Sequence, residues 1–292
     1  MTKRAQPVVT PFFEKDSSTF SYLVKDPNSQ FCAIIDSVLN FDYASGQVSF
    51  DTANEIINFV KRNQLELSYI IETHVHADHL SAAPYLQEQL GGKIAISEKI
   101  HIIQKEFGKL FNENTDFQRD GSQFDVLFED GQTYQIGSLT CMAMLTPGHT
   151  PACMSHLIGD AVFVGDTIFM PDGGTARADF PGGDARMLYQ SIQKIFELPD
   201  ETRVFVCHDY QPAGRKLQCQ CSVKDQKNNN IHIHTKISED EFVAMRQTRD
   251  KTLGMPRLIF PSLQTNMRAG HFPEAEENQM IYLKVPITTS ID

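Results

Sequence analysis

Two β-sheets covered by helices, in one α/β domain, is the architecture this sequence predicts, and three observations predict it. Strand-like and helix-like stretches alternate through the first third of the chain. The middle is mostly β, and helix signals resume after it. No Pro/Ser-rich linker and no short-period repeat divides the 292 residues, a length that suits one large domain.

Taken in order, residues 19–24 and 31–35 are short apolar, β-rich runs separated by the turn signal Asp26-Pro27-Asn28. Residues 51–64 read as a helix that Asp51 caps, with Ile56, Ile57, Phe59 and Val60 forming its apolar stripe. Residues 68–73 form a strand that runs straight into a histidine cluster, and 81–90 form a helix stopped by Gly91-Gly92. Strands follow at 124–128, 132–136, 139–145, 154–158 and 161–164, divided by Asp130-Gly131, Gly137 and Gly159-Asp160; the last two pair as a hairpin. A helix at 184–196 leads to a strand at 203–207. Beyond it lie a polar segment at 224–230, a helix at 239–251 and a Pro-containing end.

Composition narrows the partners. Asp and Glu number 37 against 26 Lys and Arg, a net charge of −11 that repels phosphate backbones and anionic membrane surfaces. No nucleic-acid or membrane partner is expected, and an anionic substrate needs a local cluster of Arg or Lys. No apolar run approaches the roughly 18 residues of a membrane span, and the first residues lack a signal-peptide core. A cytoplasmic protein is expected. The 6 cysteines then read as reduced thiols. Cys219-Gln-Cys221 lacks neighbours to complete a metal set.

The loudest feature is Thr73-His74-Val75-His76-Ala77-Asp78-His79. Alternate residues at a strand end point the same way, so His74 and His76 can converge, while Asp78 and His79 turn toward a neighbouring point. Imidazole and carboxylate together suit divalent zinc, iron or manganese. Further candidates recur at strand ends: His149 in Thr146-Pro-Gly-His-Thr150, Asp166 in Val164-Gly-Asp-Thr167, and His208 in Val206-Cys-His-Asp-Tyr210.

In this order the residues resemble the metallo-β-lactamase superfamily, whose pattern is H-x-H-x-D-H followed by H, D and H. The resemblance spans roughly residues 18–210 and implies a four-layer αββα sandwich with a metal site at one edge of the two sheets. Glu72-Thr-His-Val-His-Ala-Asp-His-Leu80, Thr146-Pro-Gly-His-Thr-Pro-Ala-Cys153, Arg177-Ala-Asp-Phe180, His208-Asp-Tyr210 and Asn266-Met-Arg-Ala-Gly270 are similar to the glutathione-persulfide (sulfur) dioxygenase family, and residues 171–184 to its bacterial members.

That resemblance implies one Fe(II) per chain, held by His74, His149 and Asp166, with three coordination positions left for water, O₂ and substrate sulfur. His76, Asp78, His79 and His208 then orient the ligands through hydrogen bonds. The implied reaction converts glutathione persulfide, O₂ and water to glutathione and sulfite. Arg177 and Arg268 match motif positions suited to glutathione carboxylates, with Asn266 and Tyr210 beside them as substrate-binding candidates. Arg177 could instead pair with Asp179 or Asp184, and Asn266 and Arg268 could instead fix a loop. The chain reads as a single domain, 1–292, whose C-terminal extension from about 211 contributes to the substrate pocket; a homodimer is the family-level expectation.

Two rivals stay open. The seven-residue set could hold two zincs, as in a zinc-dependent hydrolase of glutathione thioesters resembling glyoxalase II, or the chain could be a non-catalytic metal- or thiol-binding sensor. His232-Ile-His234 is expected to be a polar strand face. Gly173-Gly174 and Gly182-Gly183 lack the Lys-Ser/Thr of a phosphate loop and are expected to shape the pocket edge.

Overall fold

Tyr22, Val24, Ala33 and Ile35 pack on one side of their strands and Leu23, Cys32 and Ile34 on the other, and both sides are buried. Period two with burial on both faces requires a sheet covered above and below. The computed structural model describes residues 6–287.

In chain order the first half runs β1 (Val8–Glu14), β2 (Thr19–Lys25), β3 (Phe31–Ile35), β4 (Val38–Asp42), β5 (Gln47–Ser49), α1 (Asp51–Arg62), β6 (Glu66–Ile71), β7 (Leu80–Ser81), α2 (Ala83–Leu90), β8 (Lys93–Ser97) and α3 (Ile100–Leu110). The second half runs β9 (Val126–Phe128), β10 (Thr133–Ile136), β11 (Leu139–Leu145), β12 (Met154–Ile158), β13 (Ala161–Phe163), α4 (Ala185–Phe196), β14 (Arg203–Phe205), β15 (Gln220–Ser222), α5 (Val223–Asn229), α6 (Glu239–Asp250) and α7 (Ile259–Asn266).

One sheet has the order β1-β2-β3-β6-β8-β9, with β3, β6, β8 and β9 parallel. The other has the order β10-β11-β12-β13-β14-β15, antiparallel except where β13 meets β14. A small sheet, β5-β4-β7, lies beside them. Phe20, Tyr22, Phe128, Tyr134, Phe163 and Phe205 fill the space between the two large sheets. The outer face of the first sheet packs on α1, α2, α3 and α7 through Ile56, Leu86, Ile103 and Leu263. That of the second packs on α4, α5 and α6 through Ile192, Val223 and Phe242. Helix, sheet, sheet, helix is the αββα sandwich.

Some local expectations change. Phe50, not Asp51, occupies the N-cap of α1; Asp51 sits in the first turn and accepts a hydrogen bond from Ser49 Oγ at 2.8 Å. The polar segment at 224–230 is largely helix α5, opened by a capping box between Ser222 and Asp225. His232-Ile-His234 is a turn rather than a strand face, because Asn230 Oδ1 accepts from the backbone N–H groups of His232 and Ile233. His232 Nδ1 in turn accepts from Thr175 N at 2.9 Å. Gly174, at φ +79°, lies where any Cβ would strike that ring. Helices α3 and α7 and strands β1, β4, β5, β7, β8 and β15 are additions to the pattern read from sequence, and the helix expected from 81 starts at Ala83.

Candidate metal centre

Four loops that follow strands of the two sheets meet at one edge of the sandwich. They carry Thr73–His79 after β6, His149 after β11, Asp166 after β13 and His208 after β14. Gly165, at φ +51°, lets the β13 loop press against Thr73; a Cβ there would stand 2.8 Å from Thr73 Cβ.

The partners of each imidazole fix its tautomer. Thr73 Oγ1 donates to Asp36 Oδ2 at 3.0 Å, so it accepts from His74 Nδ1–H at 3.0 Å and leaves the lone pair of His74 on Nε2. His149 Nδ1–H donates to Arg177 O at 2.8 Å, which again leaves Nε2. His76 reverses the pattern: Nε2–H donates to Asp36 Oδ1 at 3.0 Å, and buried Nδ1 has no partner. His208 Nδ1 faces Ser18 O and Thr19 Oγ1, both at 3.3 Å, and His79 Nδ1 faces Thr19 Oγ1 at 3.4 Å. The Nε2 atoms of His79 and His208 are buried without a hydrogen-bond partner.

Asp166 is the hub. Its Oδ2 lies 3.8 Å from His149 Nε2 and 4.0 Å from His74 Nε2, and its Oδ1 lies 3.1 Å from His208 Nε2. None of these approaches gives Oδ1 a hydrogen bond in line. Metal–ligand bonds of roughly 2.0–2.2 Å span ligand atoms up to about 4.2 Å apart, so the Asp166 distances to His74 and His149 are within the reach of one ion. These three residues form one of the compact ligand groups; His76, Asp78 and His79 form another. Asp78 Oδ2 stands 3.4 Å from both His79 Nδ1 and His208 Nε2.

The electrostatics agree with a cation site. Burial opposes the charge on Asp166, but the facing imidazoles of His208, His74 and His149 reverse this and hold its carboxyl well below the usual range. Burial and neighbouring His76 push His74 well down, toward the neutral form that binds metals. His208 is pushed up to about 9, since Asp166 and Asp78 outweigh its burial. Carboxylates arranged to hold a proton there are arranged to hold a cation.

Two cavities open beside these residues. One of about 390 Å³ is lined by His149, Asp166, Phe169, Arg177, Tyr210 and Arg249. The other, of about 690 Å³, is lined by Asp78, His79, Phe41, Arg177, Tyr210 and Arg257. Leu253 and Pro256 line both, so the C-terminal extension forms part of their walls. Gly173 is among the residues lining the smaller cavity.

The four expected substrate contacts separate. Tyr210 stacks on His208 at 5.8 Å and is 61% exposed. Arg177 lines both cavities, but its fork is held by Asp179 at 2.6 and 2.8 Å and by Gly254 O at 2.7 Å. Asn266 donates to His76 O and His79 O at 2.9 and 2.8 Å and accepts from Ser81 N at 2.8 Å, clamping the histidine loop. Arg268 turns to Glu113 at 2.6 Å and lies over Phe117. Sequence reasoning did not select Asp36, which braces both His74 and His76; an acid ending an apolar strand was the available signal. Nor did it select Arg249 and Arg257.

The family description for the metallo-β-lactamase superfamily matches residues 15–208. The chain belongs to that superfamily. Among its relatives, a probable metallo-hydrolase of Burkholderia pseudomallei is 51% identical over 96% of this chain and 98% of its own. A protein named glyoxylase B2 of Dictyostelium discoideum is 46% identical over 98% of each chain. The human mitochondrial persulfide dioxygenase ETHE1 is 29% identical over 88% of this chain and 87% of its own. The crystal structure of ETHE1 from Myxococcus xanthus superposes with a TM-score of 0.71 at 28% identity, covering 90% of this chain and all of that one. The chain is an enzyme of that superfamily, and its His/Asp cluster supports a metal cofactor. Among the described residues no helix is long and apolar enough to cross a membrane.

Proposed function

We propose that this chain is an iron-dependent persulfide dioxygenase, which takes glutathione persulfide, O₂ and water to glutathione and sulfite at one Fe(II) held by His74, His149 and Asp166. The observation that carries the reading is the make-up of that group. Two imidazoles and one carboxylate converge, the donor set of non-haem Fe(II) oxygenases. His76, whose Nε2–H donates to Asp36 at 3.0 Å with Glu72 at 3.2 Å, falls outside this group and clusters with Asp78 and His79. Iron supplies redox access between sulfur and O₂, which zinc lacks. The chain supplies the rest. Thr73 and the Arg177 carbonyl hold the ligand rings, and Phe169, Phe180 and Tyr210 line the adjoining cavity.

With the Arg177 fork committed to Asp179, Arg249 and Arg257 are the cavity guanidiniums that make no ion pair among the described residues, so they are the ones to meet substrate carboxylates. Asn266 and Arg268 serve the site through the loop and helix they hold. The reading carries with it a cytoplasmic enzyme of the bacterial type, a homodimer, with no nucleic-acid or membrane partner.

A zinc-dependent thioester hydrolase resembling glyoxalase II is the second reading. It is favoured by the unpartnered Nε2 atoms of His79 and His208, which with Asp78 and Asp166 could hold a second ion, and by the hydrolase and glyoxylase names of the relatives. An oxygen electrode separates the two. The dioxygenase consumes one O₂ per glutathione persulfide and forms sulfite, with close to one iron per chain, and Zn(II) fills the site without restoring activity. Thioester cleavage by the zinc form, with no oxygen uptake, overturns the proposal.

A further inference from the structure

We infer that the buried ion pair Arg246–Asp250, on outer helix α6, is a positioning device for the metal ligand His149. The inference rests on His149 being a ligand, but on neither the metal's identity nor the reaction. Arg246 is 1% exposed and joins Asp250 Oδ1 through Nε at 2.9 Å and Nη2 at 2.7 Å. Both residues then reach out of their helix to one loop. Arg246 Nη1 donates to Thr175 O at 3.1 Å and to Thr175 Oγ1 at 3.3 Å. Asp250 Oδ2 accepts from Ala178 N at 3.0 Å.

These contacts bracket Arg177, whose carbonyl oxygen receives the Nδ1–H of His149 at 2.8 Å. That bond decides which nitrogen of His149 carries the lone pair and how the ring is turned. A carbonyl can do this only if its peptide plane is fixed. Here the plane includes the Ala178 N–H held by Asp250 and follows Thr175, held by Arg246, while the Arg177 side chain is pinned to Asp179 and Gly254. The route from helix to ligand is therefore Arg246–Asp250, then the backbone at 175–178, then the His149 ring. A buried ion pair gives little net stability compared with apolar side chains of similar size, so stability alone is a weak reason to bury an arginine this completely.

The same property makes the idea testable. Replacing the pair by apolar residues, Arg246→Met with Asp250→Leu, keeps the volume and removes every bond to the loop. Co(II) serves as the probe, added to metal-free full-length protein, with affinity read by chelator competition and geometry by the visible absorption band. The double variant is expected to bind Co(II) about 10–100-fold more weakly, with a shifted band, while the metal-free protein melts no lower than wild type. Asp250→Asn, a smaller change, is expected to weaken binding about 10-fold and guards against a double variant that does not fold. Arg186→Ala removes an exposed pair with Glu239 and Asp240 on the same helix and should alter neither readout. His149→Ala should lose Co(II) outright. Wild-type affinity and spectrum in both pair variants, with His149→Ala impaired, overturns the positioning role. So does an affinity loss that only follows a fall in melting temperature. Normal binding by His149→Ala overturns the ligand assignment itself.

Discussion

Each end of the sandwich is built around a buried aspartate, and the two are treated differently. At the end away from the histidines, Asp26 lies in the turn between β2 and β3. Its carboxylate accepts from Asn28 N, Ser29 Oγ, Ser138 N and Ser138 Oγ at 2.6–3.0 Å. The last two belong to the turn between β10 and β11, so this carboxylate ties one sheet to the other. At the opposite end Asp166 also links loops of both sheets, yet its Oδ1 is buried without a hydrogen-bond partner, as is the Nε2 of His208 beside it at 3.1 Å. A carboxylate that holds a fold together is saturated by its own chain. The carboxylate among the histidines is left short, and that shortfall marks the site more clearly than burial does.

The largest effect should come from breaking the open end. Alanine at His74, His149 or Asp166 is expected to lower metal affinity by more than about 100-fold, beyond the range of losses for residues that merely orient ligands, as read by metal analysis of purified protein. Asp26→Ala should do the opposite: full metal content, but a folded state weaker by about 1–3 kcal/mol because buried donors lose their acceptor. Chemical denaturation of the two sets of variants reads this directly, and metal loss in Asp26→Ala would erase the contrast.

His208→Ala sharpens the comparison further. With one ion on His74, His149 and Asp166, the variant keeps much of its metal; a fall from two equivalents to one would mean that the second half of the cluster is also a binding site. The smallest effect is a pH dependence. The donors around Asp26 outweigh its desolvation and lower its carboxyl to about 2. A depressed native pKa contributes stability above the unfolded value near 4, lost as pH falls toward 2. Denaturation midpoints between pH 5 and 2 should therefore fall less steeply for Asp26→Asn than for wild type.

How much of this was legible depended on where the information resides. Histidines and acids announce themselves by residue type and spacing, and His74, His149, Asp166 and His208 all fall where short apolar runs end. Strands β3, β11 and β12 have the bounds their apolar runs suggest. Helix α7 was not visible because Pro261, Ser262, Leu263, Gln264, Thr265 and Asn266 are all buried, leaving no apolar stripe against a polar face. The two histidines at 232 and 234 suggested a strand because alternation over so few residues cannot be told from a turn. Asp36 was silent as a support of the site for another reason, and for Asn266 the sequence allowed a loop-fixing role without saying which loop. Their effect is a hydrogen bond to a distant segment, and no local pattern records such a partner.

Asn266 has a consequence in time as well as in space. Its amide holds His76 O and His79 O, residues synthesised long before it. A nascent chain that has already emerged through His208 has every metal-motif residue but lacks the clamp on the loop that carries four of them. Final closure of that loop waits for α7, so a chain cut short before this helix would carry the whole motif in its sequence and an unfastened centre in its structure.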